Sequence, residues 1–517
     1  MRLRNYLLFV ALSTLFIPSL LSAQEFSYKG SISTDLRFTI PGNDRPKDVA
    51  GFRFDRSDNS VKFTGMFTWG NVDAVADAQL TYSGRSKVNE MRTLQYRDHV
   101  DPFYIESDAL YLRINDFILD GLDIRAGRQT IDWGSADAFN PTSVISPLDL
   151  EDPMDFGRKV ANEMISLTYS PGWSVDGENT PIFDELQLQL VWVPLFRSAM
   201  VPYSSEYAFS EPNQFRRFAH SKTLHKLVDI QELFLDYGGE VLYNVRVNEP
   251  SDSMANSQVG ARLSFSLLGV DLSFMGYYGF DHNVQPSTVN VNAVSTLSDV
   301  NDALKYYLPY VAGTDSELEQ LKGILTNFGN EGKVRSLTGY TDVNLVYPRV
   351  WVVGMDMATS LDFLWGTGLW AEVAVTIHDD VKLDVDINGT TINEKQVKKG
   401  HFWKAAVGID NSVTKWLYFN IQYLHGFVDE FGASNLGNYL VAGADIKFFN
   451  EQMLLRIFSI LQLTEPSAIL YPALSFRFWP GTEIAAGALL HFGSNDSKFG
   501  NRVVGSNFVY LQGKYSF

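Results

Sequence analysis

Apolar and polar side chains alternate along most of the chain between Phe26 and Phe517, in runs of about ten to fourteen residues. In the run Leu417–Tyr423 the odd-numbered residues are large and hydrophobic, whereas the even-numbered ones are Tyr, Asn and Gln. The runs Val61–Trp69 and Leu369–Ile377 show the same period of two. Successive side chains of a β-strand point to opposite faces, so each run predicts a strand with one apolar and one polar face. We therefore expect an all-β chain.

The links between these runs fall into two classes. Very short links alternate with much longer connections, and the short ones lie at Trp69–Asn71, Leu268–Val270, Trp365–Thr367, Phe449–Glu451 and Trp479–Gly481. Membrane barrels have short turns at one end and long loops at the other, whereas a soluble β-sandwich varies its turns at both ends. We expect a transmembrane antiparallel up-and-down β-barrel of about 16–18 strands, with long extracellular loops that carry short helices.

An even number of strands places both ends of the barrel chain on the periplasmic side, and our count is about eighteen. The strands are expected to begin near Phe26, Ser60, Val72, Asp108, Leu122, Glu163, Glu185, Gln258, Val270, Val350, Leu369, Phe402, Trp416, Gly437, Leu454, Ala468, Glu483 and Gly505. The segment Gly239–Val247 also alternates, but one extra strand would move every later short turn to the outer side. We therefore assign this segment to a loop.

Aromatic residues make up 14% of the chain, and a membrane barrel gives them a role. Four tryptophans lie at the short turns, where an amphipathic ring can sit at the level of the lipid headgroups: Trp69, Trp365, Trp416 and Trp479. The last strand ends with Tyr515 and Phe517 on one face. This ending resembles the C-terminal signature of bacterial outer-membrane barrels, and the resemblance implies the barrel assembly machinery as a partner.

The first 23 residues match a secretory signal peptide. Arg2 and Arg4 precede the apolar run Leu7–Leu21, and small residues end the segment. An uncleaved anchor helix would need a longer apolar run than this one, which Pro18 interrupts. We expect these residues to be removed after Sec-type export. Residues 24–517 would then form one barrel in the outer membrane, in contact with membrane lipid and a lipopolysaccharide-type surface.

Composition excludes several function classes. The formal net charge of −18 repels the phosphates of nucleic acid, and the lack of cysteine excludes disulfides, thiolate metal sites and cysteine nucleophiles. The 8 histidines have no metal-ligand spacing, and neither a hydrolase nucleophile elbow nor a phosphate-binding loop occurs. We therefore expect no enzyme, no catalytic residues, no metal, no cofactor and no nucleic-acid partner.

One motif is similar to half of a calcium-binding loop. Asp384, Asp386 and Asn388 precede Gly389 with the spacing of the first ligands, but position twelve is Lys395 rather than Glu. The flanking residues alternate, and Asn-Gly is a preferred turn of a two-residue β-hairpin. We expect a hairpin here.

Two connections are very long, Leu195–Met254 and His282–Arg349. Unstructured loops of this size are uncommon, so we expect both to have structure of their own. Thr314 and Glu317 form a capping box ahead of an apolar helical stripe, and Lys222–Leu235 also has helical spacing. The sequence leaves open whether such helices plug or cover the barrel mouth or only decorate the surface.

Charged residues on the faces opposite the apolar ones should point into the barrel. The expected inward set is Lys29, Asp35, Arg37, Asp73, Asp77, Arg113, Asp123, Arg125, Lys404, Asp410, Asp445, Lys447, Arg477 and Glu483. Mixed charges favour a water-filled pathway whose solutes they select. Opposite charges on adjacent strands can also simply neutralise one another, and both interpretations can hold together.

Several segments resemble a poorly characterised family of bacterial outer-membrane, porin-like barrels. They are Ala126–Gly134, Asp137–Thr142, Pro147–Asp149, Val259–Asn283 and Tyr347–Arg349. The resemblance covers a modest part of the chain. It implies a porin or an outer-membrane transporter without naming a solute, and a distant similarity to fatty-acid-transporter-type barrels is a second option.

The run that follows Arg128 leaves a strand at its outer end and is rich in Asn, Asp, Gly and Pro, which suits an ordered loop on or in the barrel mouth. Its candidate site residues are Arg128, Trp133, Asp137 and Asn140. Trp133 and Phe139 could equally serve only to anchor the loop.

We expect a porin or channel that lets small solutes diffuse across the outer membrane, because about sixteen to eighteen strands enclose an aqueous lumen. Two alternatives stay open: a gated transporter for hydrophobic compounds, and a surface-exposed binding or structural barrel. The sequence also leaves open whether copies of the chain associate.

Overall fold

The computed structural model describes residues 25–40, 53–88, 91–137, 139–155, 157–177, 181–201, 221–494, 497–500 and 507–517. The expected signal peptide, residues 1–23, lies outside the described residues.

The described chain is mostly strand. The first twelve strands are β1 (Glu25–Thr39), β2 (Arg53–Trp69), β3 (Val72–Ser83), β4 (Phe103–Glu106), β5 (Leu110–Ile114), β6 (Leu122–Gln129), β7 (Asn162–Tyr169), β8 (Phe183–Val193), β9 (Glu240–Asn248), β10 (Gln258–Leu267), β11 (Val270–Phe280) and β12 (Gln285–Ser295). The remaining strands are β13 (Leu337–Val346), β14 (Arg349–Leu361), β15 (Thr367–His378), β16 (Val381–Ile387), β17 (Thr390–Val397), β18 (Gly400–Thr414), β19 (Leu417–His425), β20 (Asn438–Phe448), β21 (Met453–Gln462), β22 (Ser467–Phe476), β23 (Thr482–Phe492) and β24 (Phe508–Ser516). The α-helices are α1 (Arg97–Val100), α2 (Lys222–Asp236), α3 (Ser298–Tyr307) and α4 (Asp315–Asn330).

Nineteen of these strands form one antiparallel sheet that closes into a barrel. Strand β24 pairs with β1, from Ser31 opposite Ser516 to Thr39 opposite Phe508, and this pairing joins the two ends of the sheet. Because β4 and β5 both pair with β3 and share one position in the wall, the barrel has eighteen strand positions. The expected fold class and strand count are confirmed.

The alternation of the sequence separates the two faces of the wall. On β19, Ile421 and Tyr423 are 43% and 42% exposed, whereas Asn420 and Gln422 are 6% and 1% exposed. Exposed aromatic side chains lie at both ends of the barrel, namely Trp69, Trp365, Trp416 and Trp479 at the short turns and Trp351, Trp403 and Tyr423 toward the other end. An apolar outer wall with an aromatic belt at each end is the exterior of a membrane-embedded barrel.

None of the helices in the described part of the chain is long and apolar enough to span a membrane.

The short turns are formed by residues with positive φ angles, several of them glycines. Leu268 and Gly269 link β10 to β11 with φ angles of 54° and 77°, and Asn388 and Gly389 link β16 to β17 with 49° and 85°. Two successive positive φ values define the hairpin turn whose twist matches that of the strands. The hairpin expected at Asn388–Gly389 is confirmed, and the Asp386 carboxylate accepts hydrogen bonds from the Gly389 N–H (2.9 Å) within this turn.

Three outer connections combine into a second sheet of five strands, in the order β17-β16-β12-β13-β9. Strands β12 and β13 form one antiparallel hairpin and β16 and β17 another, while β12 runs parallel to β16 and β13 parallel to β9. Helices α2 and α4 and the α3 segment supply apolar side chains that pack on one face of this sheet in a core of fully buried residues. We call this unit the cap.

The cap explains the two long connections. The segment Gly239–Val247, which we assigned to a loop, lies outside the barrel as expected but forms the edge strand β9 of the cap. The helices expected at Lys222–Leu235 and after Thr314 are confirmed. Thr314 accepts the Glu317 N–H (3.4 Å), and Glu317 accepts the Thr314 N–H (2.7 Å), which completes the capping box.

The cap stands on one side of the barrel rim, and its two faces point in different directions. Val381 of β16 and Val397 of β17 pack against Phe431 and Phe402, which belong to an apolar cluster inside the barrel mouth. Val381 shares its face of the sheet with Leu383, which is in the helix-covered core. The helix-covered face therefore lies on the pore side, and the opposite face points away from the pore.

Candidate functional site

The connection between β6 and β7, residues 130–161, enters the barrel, and we call it the inner loop. Trp133 is 2% exposed and donates its indole N–H to Gln189 of β8 (2.7 Å). Trp133 and Ile145 pack closely on Gly260 of β10, where a Cβ atom would come within 2.5 Å of Ile145. Only glycine at this position lets the loop lie so near the wall.

A buried carboxylate on β15, three strands further round the wall from β10, holds the start of the inner loop. Glu372 of β15 is 3% exposed and accepts hydrogen bonds from the Ser135 N–H (2.5 Å), the Ala136 N–H and the Thr142 hydroxyl (2.8 Å). The Ser135 hydroxyl also donates to the Met357 carbonyl (3.1 Å). These bonds satisfy loop N–H groups that would otherwise be buried without partners.

Ion pairs hold the far end of the inner loop against the first two strands. Arg37 of β1 is 3% exposed and pairs with Asp152 (2.5 Å) as well as with Asp35 on its own strand (2.5 Å). Arg56 of β2 pairs with Asp152 (3.1 Å) and with Glu151. The loop therefore spans the barrel and is fixed on both sides.

The acids at this end of the loop are affected differently by their neighbours. Burial opposes ionisation of Asp152, but the hydrogen bonds and charge of Arg37 outweigh it and hold the pKa of Asp152 below its usual range. Burial raises the pKa of Glu151 despite the nearby charge of Arg56, and burial also raises the pKa of Asp149. Asp152 is therefore the member of the cluster that stays ionised longest in acid.

Further charges follow the same side of the lumen. Lys62 of β2 pairs with Asp108 (2.8 Å), and Arg158 of the inner loop pairs with Glu106 (2.7 Å). These four side chains are between 28% and 35% exposed, so water reaches them. Asp132, on the loop itself, is 57% exposed. This side of the interior is wet and carries both signs of charge.

The opposite side of the lumen is apolar toward its outer end. Residues 426–437, between β19 and β20, also turn inward, and we call them the second loop. Phe427 of this loop packs on Phe139 of the inner loop (ring centroids 5.1 Å apart), and Phe431 packs on Phe402 (5.2 Å). Both contacts belong to apolar clusters that line the inner wall.

A buried carboxylate also anchors the second loop. Glu430 accepts the Phe427 N–H (2.8 Å) and the Gly437 N–H (2.9 Å), and it pairs with Lys498 (3.2 Å). Burial disfavours the charge of Glu430, but Lys498 and the hydrogen bonds prevail and lower its pKa. The second loop is therefore fixed rather than free to move on its own.

A cavity of about 100 Å³ lies where the inner loop meets the second loop and the outer ends of β11 and β18. Its walls include Phe139, Tyr277, His282 and Lys404. Burial lowers the pKa of His282 to about 3, so this ring is neutral at physiological pH. No group of three or more His, Asp or Glu side chains among the described residues is arranged to hold a metal ion.

The structure brings some of the expected lumen charges together. Three ion pairs form within the set: Asp35 with Arg37, Asp73 with Arg113 (2.6 Å) and Arg477 with Glu483 (3.1 Å). Arg125 lies directly opposite Arg113 on the neighbouring strand and stacks over the Tyr111 ring (4.9 Å). Asp73 with Arg113 and Arg477 with Glu483 are opposite charges on neighbouring strands or their ends, whereas Asp35 and Arg37 lie on the same strand.

Other members of the set have partners outside it or lie apart. At the short-turn end, Asp445 pairs with Arg456 and Lys447 pairs with Glu451. Asp77 accepts the backbone N–H groups of Asp108 and Ala109, and Asp123 accepts the Asp116 N–H (3.1 Å). Lys404 donates to the Val428 carbonyl (3.3 Å). Lys29 is exposed at the short-turn end of β1, and Asp410 lies half-buried on β18. The set is thus spread along the whole barrel and does not form one cluster.

The four candidate residues of the mouth loop separate into two places. Trp133, Asp137 and Asn140 lie inside the barrel, where Asn140 donates to the Trp133 carbonyl (3.2 Å) and Asp137 accepts from Asn420 of β19 (2.8 Å). Arg128 instead pairs with Glu163 (3.2 Å). The next residue of β7, Met164, is buried and points inward, so the Glu163 side chain points outward. Arg128, its partner, therefore belongs to the outer surface.

The two residues of the C-terminal signature lie on the barrel exterior. Tyr515 and Phe517 are 49% and 51% exposed, and their rings are 6.1 Å apart. Phe517 exchanges both backbone hydrogen bonds with Gly30 of β1 (2.8 and 2.9 Å). The terminal residue therefore takes part in closing the barrel.

Several residues that shape the interior were absent from the expected set. Arg56, Lys62, Asp356 and Glu372 lie on the polar faces of their strands, so strict counting of alternation could have found them. Arg158 lies in the irregular inner loop, where no periodicity exists to show which way a side chain points.

Comparisons with known proteins add little. No family model matches the chain, and no curated protein matches it. Among solved structures, OccAB1 and OccAB2 of Acinetobacter baumannii have TM-scores of 0.46 and 0.45 at 8% identity, with 96% of this chain and 97% and 98% of theirs covered. OmpF of Salmonella typhi, in complex with daunomycin, has a TM-score of 0.36 at 9% identity over 95% of this chain and 97% of its own. The strand pairing itself, rather than these similarities, establishes the barrel.

Proposed function

We propose that the protein is a non-enzymatic channel of the outer membrane through which small solutes diffuse. One observation carries the proposal: a loop fixed at both ends crosses the inside of a closed eighteen-position barrel and leaves a wet, charged wall beside it. A fixed constriction limits solute size, and charges beside it bias which ions pass. The proposal needs no cofactor.

Conductance tests this function. Purified protein in planar lipid bilayers should give stepwise ion conductance, and the absence of any conductance would refute the proposal. The double variant Arg113→Ala/Arg125→Ala should shift the reversal potential in a salt gradient toward cations, mainly through Arg125, because Asp73 already offsets Arg113. Lys382→Ala, an exposed position on the face of the cap that points away from the pore, is the control and should leave the reversal potential unchanged.

A second function is favoured by the apolar outer half of the lumen. Two separate aromatic pairs, Phe139 with Phe427 and Phe402 with Phe431, line the part of the lumen where a solute would enter, as expected of a gated transporter for hydrophobic compounds. In that case the wild-type protein should show little ion conductance in planar bilayers, and Phe427→Ala should raise that conductance. A wild-type conductance that Phe427→Ala does not raise would favour the diffusion channel instead.

Three further points complete the proposal. Residues 1–23 act as the export signal, residues 24–517 reach the outer membrane, and the exposed pair Tyr515 and Phe517 presents the chain to the barrel assembly machinery. The exterior wall contacts lipid directly, as its exposed apolar side chains require.

A further inference from the structure

The cavity between the inner loop and the second loop combines an apolar lining with two side chains of opposite charge. Phe139, Phe402 and Phe427 belong to its apolar lining. The acidic side chain is Asp281, just after β11, and the basic one is Lys404 of β18. A cavity of about 100 Å³ has room for roughly three water molecules or for one small organic molecule. We call this space the mouth cavity.

Neutral groups hold the two charged side chains of the mouth cavity apart. The Asn283 side chain donates to Asp281 Oδ1 (2.9 Å) and to the Val428 carbonyl (3.0 Å). Lys404 donates to the same carbonyl (3.3 Å). The charge of Lys404 still acts on Asp281 through space, but no ion pair joins the two in the part of the chain that the structure describes. A gap between opposite charges is therefore left in the cavity wall.

Both charged groups keep unused capacity for hydrogen bonds. Asp281 Oδ1 accepts the backbone N–H (2.8 Å) and the side-chain N–H (2.9 Å) of Asn283, whereas Oδ2 accepts no hydrogen bond from the described residues. An ammonium group can donate several hydrogen bonds, and the Val428 carbonyl takes only one from Lys404. Burial raises the pKa of Asp281, and Lys404 and Asn283 oppose this rise. A further cation beside Oδ2 would therefore stabilise the ionised carboxylate.

Two neutral side chains of the cavity wall also have unsatisfied polar atoms. Asn140 Oδ1 and His282 Nε2 are buried, and neither has a hydrogen-bond partner among the described residues. Buried polar atoms without a partner are rare in folded proteins, and ordered water or a ligand commonly completes them. The mouth cavity is thus a polar site inside an apolar lining, and its chemistry differs from that of a simple packing gap.

We propose that the mouth cavity binds a small zwitterionic amino acid with a short apolar side chain, such as alanine. The ammonium group of the ligand pairs with Asp281 and its carboxylate with Lys404, both through charge-assisted hydrogen bonds. The aromatic rings of the lining cover the apolar side chain of the ligand. A ligand with a single charge would leave one of the two wall charges without a partner, which is costly at a buried site. The site does not require that the barrel conducts ions.

Titration of L-alanine into the folded, detergent-solubilised protein tests the site, with saturation-transfer NMR as the readout. Lys404→Met and Asp281→Asn should each weaken alanine binding at least about tenfold, because each removes a hydrogen bond to a charged group. Lys382→Met and Asp384→Asn make the same changes at exposed positions on the face of the cap that points away from the pore, and they should leave binding within about twofold. Equal effects of the two sets of variants, or no alanine binding to the wild type, would overturn the proposal.

Two analogues of alanine test the contact with both charges on the wild-type protein, so this arm does not depend on the folding of a variant. Propionate lacks the ammonium group and ethylamine lacks the carboxylate, and both should bind at least about tenfold more weakly than alanine. Binding of either analogue as tightly as alanine would overturn the proposed contact with both charges. Gel mobility of unboiled samples shows which variants are folded. Because alanine binding is measured without conductance, a protein that binds alanine but does not conduct would refute the channel alone.

Discussion

Glu372 fixes the inner loop, so its removal should set that loop moving. In Glu372→Ala the Ser135 and Ala136 N–H groups lose their acceptor while they remain buried. Each unsatisfied buried donor costs about 1–3 kcal/mol, and relief of the buried charge returns part of this, so the docked loop should lose about 3 kcal/mol. At 1.4 kcal/mol per factor of ten, the undocked loop should become about 100-fold more populated.

Thiol labelling measures this population directly, because the chain contains no cysteine. Ala136→Cys places one thiol at a position that is 8% exposed in the docked loop. Its modification rate should rise about 100-fold when Glu372→Ala is added and less with Glu372→Gln, which keeps one oxygen for the two N–H groups. Single-channel current should also become noisier. An unchanged rate and unchanged noise in Glu372→Ala would refute the anchoring role, provided that unboiled gel mobility shows a folded barrel.

Three other changes probe the acid cluster, the lipid-facing wall and barrel closure. The ion pair of Asp152 with Arg37 should be intact at any pH above the usual carboxyl pKa and should break only when the pH falls through the lowered pKa of Asp152. Wild-type current should therefore stay steady down to about pH 4, whereas the current of Asp152→Asn should already be noisy at neutral pH. Leu188→Arg should lower the free energy of unfolding in lipid vesicles by about 2–4 kcal/mol and Gln187→Arg by far less; similar losses would mean that the two faces are wrongly assigned. Deletion of Phe517 should reduce the folded protein in the outer membrane, as seen by heat-modifiable gel mobility, and a normal amount would contradict its role in closure.

The barrel could be predicted from the sequence because the alternation that marks each of its strands is a local pattern. Each strand shows its own period of two, and short turns such as Leu268–Gly269 mark where one strand ends and the next begins. The parity argument also kept Gly239–Val247 out of the wall. The cap could not be predicted in the same way, since β9 pairs with β13, whose sequence lies far along the chain, and nothing local specifies that pairing.

The interior was only partly predictable for a related reason. Alternation shows that Arg37 and Asp35 point inward, but the partner Asp152 comes from a loop without periodicity. Likewise the inward direction of Glu372 follows from its strand, whereas its hydrogen bonds to the inner loop depend on how that loop crosses the barrel. Arg128 shows a different case, because the alternation that points Arg125 inward also places Arg128 on the outer surface, whereas we had grouped Arg128 with the mouth loop as part of its motif.

The interleaved origin of the cap has a consequence for biogenesis and for engineering. Its strands come from the connections β8–β10, β11–β14 and β15–β18, and neighbours in the cap sheet belong to different connections at two of its four seams. The cap can therefore be completed only after these barrel strands have assembled side by side, which makes it a late event with long-range contacts. By the same logic, the three connections must be transplanted to another barrel as a set, because one of them alone would carry unpaired strand edges and half of a hydrophobic core.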